Sequence, residues 1–166
     1  MSIKLYLVRH AKTEEGSRDM RDFDRELTSR GMQDATRLGK YYATKEIIPD
    51  QILSSDAARA RATAELIASQ MGYELSRIHL NHEIYEASVR TLFQLVTQLK
   101  DEWESVMIVG HNPVMNYLAE YLSGAEIGHM YTGSIACISF ETKTWAEVSQ
   151  NSGTLDEYVV AKHLES

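Results

Sequence analysis

The chain has 166 residues, 43% of them apolar, with 24 acidic residues against 17 Lys and Arg and a formal net charge of −7. That length suits one domain spanning 1–166, long enough to bury about 70% of its unfolded surface without covalent staples. The acidic balance argues against a general nucleic-acid binder, which presents a basic face to displace counterions. No apolar run approaches the roughly 20 residues of a membrane span. The single cysteine, Cys137, excludes an internal disulfide, and with no secretory segment in view it fits a reducing, cytoplasmic compartment.

Ile3 to Val8 alternates as a strand and stops on Arg9-His10, a fixed cation beside an imidazole. From Ala11 to Leu27 the chain is a charged loop in which Arg18, Arg21 and Arg25 alternate with Asp19, Asp22, Asp24 and Glu26, which reads as a solvated segment. Thr28 can cap a helix with the stripe Gly31, Ala35, Leu38, Tyr42, and Pro49 closes the connection that follows. Gln51 to Ser54 reads as a second strand, after which Ser55 or Asp56 caps a helix with the stripe Ala57, Ala60, Ala64, Ile67, Met71. A third strand is expected over Arg77 to Leu80, then a turn holding Glu83 and Glu86, then a helix after Ser88 with Val89, Leu92, Val96 and Leu99 inward. Val106 to Val109 is a continuous apolar run, as expected of a strand covered on both faces, and it too stops on a histidine, in Gly110-His111-Asn112-Pro113. Asn112 as N-cap and Pro113 at the first helical position start a helix with Val114, Tyr117, Leu118 and Tyr121 inward. Two last strands are expected at Ile135 to Phe140 and Trp145 to Val148, joined tightly around Glu141 to Thr144.

Alternating strands and helices imply an α/β fold, a three-layer α/β/α sandwich around a mostly parallel sheet with right-handed crossovers. The carboxyl ends of parallel strands share one edge, so His10, the Ser54-to-Arg59 segment, Glu83 and His111 should converge on one crevice. Arg59 lies in the first turn of its helix, off the apolar stripe, and can join Arg9 there. Two guanidiniums present planar forks of charged donors suited to a tetrahedral oxyanion. Beside a bound phosphoryl group one imidazole can attack phosphorus as a neutral nucleophile and the other can donate to a phosphoryl oxygen, with nearby arginines disfavouring protonation. Such transfer needs positioning and charge stabilisation rather than a metal or cofactor. A leaving alkoxide still needs a proton, which Glu83, sooner after the strand end, or alternatively Glu86 could give and later recover from water.

Arg9-His10-Ala11 resembles the Arg-His-Gly signature of the histidine phosphatase superfamily, the phosphoglycerate mutase-like fold. Ser54-Ser55-Asp56-Ala57-Ala58-Arg59-Ala60-Arg61-Ala62-Thr63-Ala64 resembles its second arginine motif and Gly110-His111-Asn112-Pro113 its second histidine motif, while Leu27-Thr28-Ser29-Arg30-Gly31 is similar to the start of its first helix. Compact length and the segment Ile84-Tyr85-Glu86-Ala87-Ser88 are most similar to the SixA-like branch, the bacterial phosphohistidine phosphatases. The resemblance implies that His10 is phosphorylated in turnover, that Arg9, Arg59 and His111 form the phosphate pocket, and that a carboxylate near Glu83 is the proton donor where one is used. The chain departs from the family at Gly16, where mutase-like members often place an asparagine on the phosphate, and at Ala62, where a glutamine is usual. Thr13 is a plain loop residue that retains a hydroxyl donor.

The resemblance implies phosphohistidine on a protein as the substrate, since the chain is too short for a lid that encloses a metabolite; a small phosphate ester, hydrolysed by a phosphomonoesterase of the same superfamily, is the alternative. A non-catalytic phospho-ligand binding module would use the same basic pocket without becoming phosphorylated. Asp22-Phe23-Asp24 offers a magnesium-phosphatase pattern, but in a charged loop rather than after an apolar strand. Cys137 has Lys143, not arginine, six positions on, so a cysteine-phosphatase loop is missing. His79, His82, His129 and His163 lack zinc-site spacing and read as surface or locally satisfied groups. No nucleotide-binding glycine motif occurs, and Ser134, in the turn before its strand, is set aside.

Overall fold

The computed structural model describes residues 2–164. Among them six strands form one mixed, mostly parallel sheet: β1 (Ile3–Arg9), β2 (Gln51–Ser54), β3 (His79–Leu80), β4 (Ser105–Gly110), β5 (Ser134–Phe140) and β6 (Gly153–Val160), in the order β3-β2-β4-β1-β5-β6. The four strands from β3 to β1 are parallel, while β5 runs antiparallel to both β1 and β6. Helices α1 (Ser29–Thr44) and α2 (Ala58–Met71) cover one face, and α4 (Val89–Thr97) and α5 (Val114–Ser123) the other; α3 (His82–Tyr85) is a single turn after β3. The expected three-layer α/β/α sandwich is therefore the architecture.

Period-two alternation divides the core. Leu5 and Leu7 of β1 join Val106 and Ile108 of β4 against α4 and α5, while Tyr6 and Val8 join Met107 and Val109 against α1 and α2. All eight are 3% exposed or less, and complete burial of one such aliphatic side chain is worth about 1.5–3 kcal/mol. Thr28 caps α1 by accepting from Gly31 N at 3.0 Å, and Ser88 caps α4 by accepting from Thr91 N at 3.1 Å. Gly31 is where α1 meets the segment leaving β1: a Cβ there would stand 2.2 Å from the Lys12 carbonyl oxygen.

Several expected elements shift. Trp145–Glu147 is a 3-10 turn rather than a strand, with Trp145 wholly buried and its Nε1 donating to Trp103 O at 2.8 Å; the last strand is Gly153–Val160. The third strand shortens to His79–Leu80 because Leu75–Arg77 forms a 3-10 turn. In α5 the inward stripe is Met115, Leu118, Ala119 and Leu122; Tyr117 and Tyr121, expected inside, are exposed. Pro113, not Asn112, is the N-cap residue of α5, although Asn112 Oδ1 accepts from Asn116 N at 3.3 Å.

Candidate active site

Register aligns the strand ends. Val8 and Ser54 both pair with Val109, and Ser54 also pairs with Leu80, so four strands finish at one level. The backbone ladder runs one step past them, through His10 N to Gly110 O (3.1 Å), Ser55 N to Val109 O (2.9 Å) and Asn81 N to Ser54 O (2.8 Å). Residues 10, 55, 82 and 111 thus emerge along one edge, where open α/β sheets bind ligands.

The His10 and His111 rings meet there, centroids 5.3 Å apart. His10 is 7% exposed and places Nδ1 2.8 Å from the Ala11 carbonyl oxygen. A carbonyl only accepts, so Nδ1 carries the hydrogen and Nε2 keeps its lone pair. Burial pushes the His10 imidazole down to about 3, and the charges of His111, Arg59 and Arg9 act in the same direction against the Ala11 bond. His111 is pushed down to about 4, first by burial and then by Arg59. Its Nε2 lies 2.8 Å from Ser55 Oγ. Ser55 Oγ also accepts from Ala57 N at 3.2 Å, so one hydroxyl ties the turn before α2 to the imidazole; the N-cap residue of α2 is Ala57, with no side-chain cap, rather than the expected Ser55 or Asp56.

Both arginines reach the crevice. Arg9 Nη1 donates to Met130 O at 2.7 Å, and Asn112 Nδ2 donates to the same oxygen at 3.1 Å, pinning the segment before β5 beside the histidines. Gly133, at φ +64°, lets that segment turn so that its N–H donates to His10 O at 2.9 Å. Ser134 is buried and donates to Tyr131 O at 2.6 Å, closing the same turn. Arg59 is 5% exposed; its Nη1 donates to Asp22 O at 2.7 Å and its Nη2 to Asp22 Oδ2 at 2.9 Å. Thr63 joins the two halves: its Oγ1 accepts from Ala11 N at 3.0 Å and donates to Arg59 O at 2.7 Å.

Asp22 is the residue that sequence reasoning left in a solvated loop. Its Oδ2 also accepts from Tyr85 Oη at 2.8 Å and its Oδ1 lies 3.2 Å from Arg25 Nε. The Tyr85 hydroxyl, then Arg59, holds its carboxyl below the usual range. Asp24 pairs with Arg21 at 2.8 Å, so both carboxylates of the Asp22-Phe23-Asp24 pattern are spent on cations. Tyr85 packs edge-on to His111 with centroids 5.5 Å apart. Of the two expected proton donors, Glu83 lines a separate depression with Leu53, His79 and Gln94, whereas Glu86 borders the depression that contains Tyr85 and His111. Among the described residues no group of three or more His, Cys, Asp or Glu is arranged to hold a metal ion, and no helix is long and apolar enough to cross a membrane.

Ala11 O, Tyr85 and Met130 O had no sequence signal as site groups; Ser55 lay in the segment expected at the crevice and Thr63 in the second arginine motif, neither with a role at the site, and Asp22 was read in a solvated loop and a magnesium-phosphatase pattern.

An uncharacterized chloroplastic protein of Arabidopsis thaliana is 28% identical over 161 residues, covering 92% of this chain and 73% of its own. A solved structure assigned as the phosphohistidine phosphatase SixA of Agrobacterium tumefaciens is 29% identical with a TM-score of 0.81, over 95% of this chain and 97% of that one. The fold also matches the protein histidine phosphatase SixA complexed with tungstate, at a TM-score of 0.84 and 19% identity over 98% and 100% of the two chains. Residues 5–90 match the histidine phosphatase superfamily, branch 1. With its phosphoglycerate mutase-like sheet and paired histidines at the strand ends, the chain belongs to that superfamily.

Proposed function

We propose that the chain is a phosphatase that passes a phosphoryl group to His10 Nε2 and then to water. The observation that carries this reading is the buried His10 ring, 5.3 Å from the His111 ring and fixed by Ala11 O in the tautomer that leaves the Nε2 lone pair available. Arg9 and Arg59 would hold the phosphoryl oxygens, with His111 donating to one of them in the transition state. Because Asp22 occupies Arg59 in the free protein, an incoming phosphate shares or replaces that carboxylate. Charge on phosphorus is thus met by two guanidiniums, as metal-independent phosphoryl transfer requires.

The proposed substrate is phosphohistidine on a protein. Support comes from the Agrobacterium structure assigned as the phosphohistidine phosphatase SixA, which is 29% identical at a TM-score of 0.81. Turnover of a histidine-phosphorylated protein should exceed that of small phosphate esters in kcat/KM, and one strongly preferred ester would overturn the substrate. The mechanism itself is tested by quenching in alkali, under which phosphohistidine survives. Wild type should retain protein-bound, acid-labile phosphate, and His10→Ala should retain none and lose turnover while keeping its fold. A binding module would show bound phosphate without that adduct.

A further inference from the structure

Where β3 ends, the Asn81 side chain accepts from Glu83 N at 2.9 Å and starts α3, which brings His82 to the sheet edge that carries His10 and His111. His82 Nδ1 lies 3.0 Å from both carboxylate oxygens of Asp56. A carboxylate accepts, so Nδ1 carries a hydrogen and Nε2 is left as the atom that gains or loses a proton. The nearest acidic oxygen to Nε2 is that of Glu86 at 3.8 Å, beyond hydrogen-bond reach. Asp56 belongs to the same turn as Ser55, which holds His111, so adjacent residues of one turn orient two imidazoles.

A continuous series of rings connects His82 to the buried pair. Its ring lies 5.6 Å from Tyr85 and 5.8 Å from Phe23, and Tyr85 lies 5.5 Å from His111. Exposure rises outward along this series: His10 is buried, His111 and Tyr85 are half-buried, and His82 is exposed. An imidazole oriented by a carboxylate, 55% exposed and one ring removed from His111 through Tyr85, has the parts of a general acid and base. Glu83 opens into another depression, and Glu86, at 72% side-chain exposure, has no group that fixes its direction as Asp56 fixes His82.

The geometry points to the Asp56–His82 pair as the proton-transfer device of this site, an assignment that rests on the His10 phosphoryl-transfer reading. As the bond from phosphorus to the leaving oxygen or nitrogen breaks and the bond to His10 Nε2 forms, protonated His82 gives its Nε2 proton to the leaving atom. Water then attacks phosphorus, the phosphorus–His10 bond breaks, and His82 takes the water's proton, so that orthophosphate leaves and both imidazoles return to their starting states.

The test is the rate of phospho-His10 formation in a rapid-quench burst across phosphate esters, from p-nitrophenyl phosphate to alkyl phosphates that need a proton on the departing oxygen. His82→Gln is expected to lose about a hundredfold or more on alkyl phosphates yet stay within about threefold of wild type on p-nitrophenyl phosphate. Asp56→Asn should shift the same dependence in the same direction, and Glu86→Gln should leave it unchanged. Equal losses on every ester, no loss, or a leaving-group-dependent loss in Glu86→Gln instead of His82→Gln would overturn the assignment. Should wild type form no phospho-His10 at all, the reading of the whole site falls with it. An unchanged leaving-group dependence with phospho-His10 intact removes His82 alone.

Discussion

His10 is kept neutral by its surroundings before any substrate arrives. Burial is the largest cause, and the charges of His111, Arg59 and Arg9 add to it, so the ring titrates near 3 and His111 near 4 rather than near 6.5. The sign for stability follows from linkage: below pH 6.5 the unfolded chain binds protons at both positions and the folded chain does not. Stability contributed by these rings is therefore fully present above pH 6.5 and is lost as pH falls through 4 and then 3. Chemical unfolding of wild type should show a midpoint that declines from pH 6.5 to pH 4, and His10→Gln/His111→Gln should flatten that decline. A double variant with the wild-type slope would show that other groups carry the acid sensitivity.

At the level of elements, the site depends on how β1 is tied to the starts of α1 and α2. Gly31→Ala illustrates competing terms: alanine favours a helix over glycine by about 1 kcal/mol, but the new Cβ would meet the Lys12 carbonyl oxygen at 2.2 Å. Backbone must then move, so the expected result is a net loss of about 1–3 kcal/mol in urea unfolding, and a stabilised protein would refute the contact. Thr63→Val removes the hydroxyl that serves Ala11 N and Arg59 O and leaves a buried N–H unpaired, at a cost of about 1–3 kcal/mol. Helix stripes and strand ends were legible because periodicity is local. The ties were not: Thr63 lies 52 residues from Ala11, and Asp22 lies 37 from Arg59. Strand β6 escaped for another reason, since Asp156 and Glu157 make it read as polar, and charges of that kind blunt an exposed sheet edge. The Trp145 run looked like a strand because its apolar residues are buried in a 3-10 turn instead.

For the whole molecule, the sheet order brings together segments that the chain keeps more than 100 residues apart, His10 beside His111 and Arg9 beside Met130. A site assembled in this way exists only in the folded state, so an oxyanion that binds it must stabilise the fold by mass action. Tungstate is a suitable probe, because it is a tetrahedral oxyanion of the kind that two guanidinium forks bind. At one hundred times its dissociation constant the gain is about 2.7 kcal/mol, which for a chain of this size raises Tm by roughly 5–10 °C. Arg59→Ala removes a charged fork from the pocket, and losing one such donor costs about 3–4 kcal/mol of oxyanion stabilisation. Each protein is measured against its own ligand-free Tm, which cancels the cost of leaving Asp22 unpaired. At the same tungstate concentration the variant should then gain only about 1 °C or less. Equal shifts in the two proteins would place the anion away from Arg59, and with it would go the convergence of arginines and histidines on a single phosphorus.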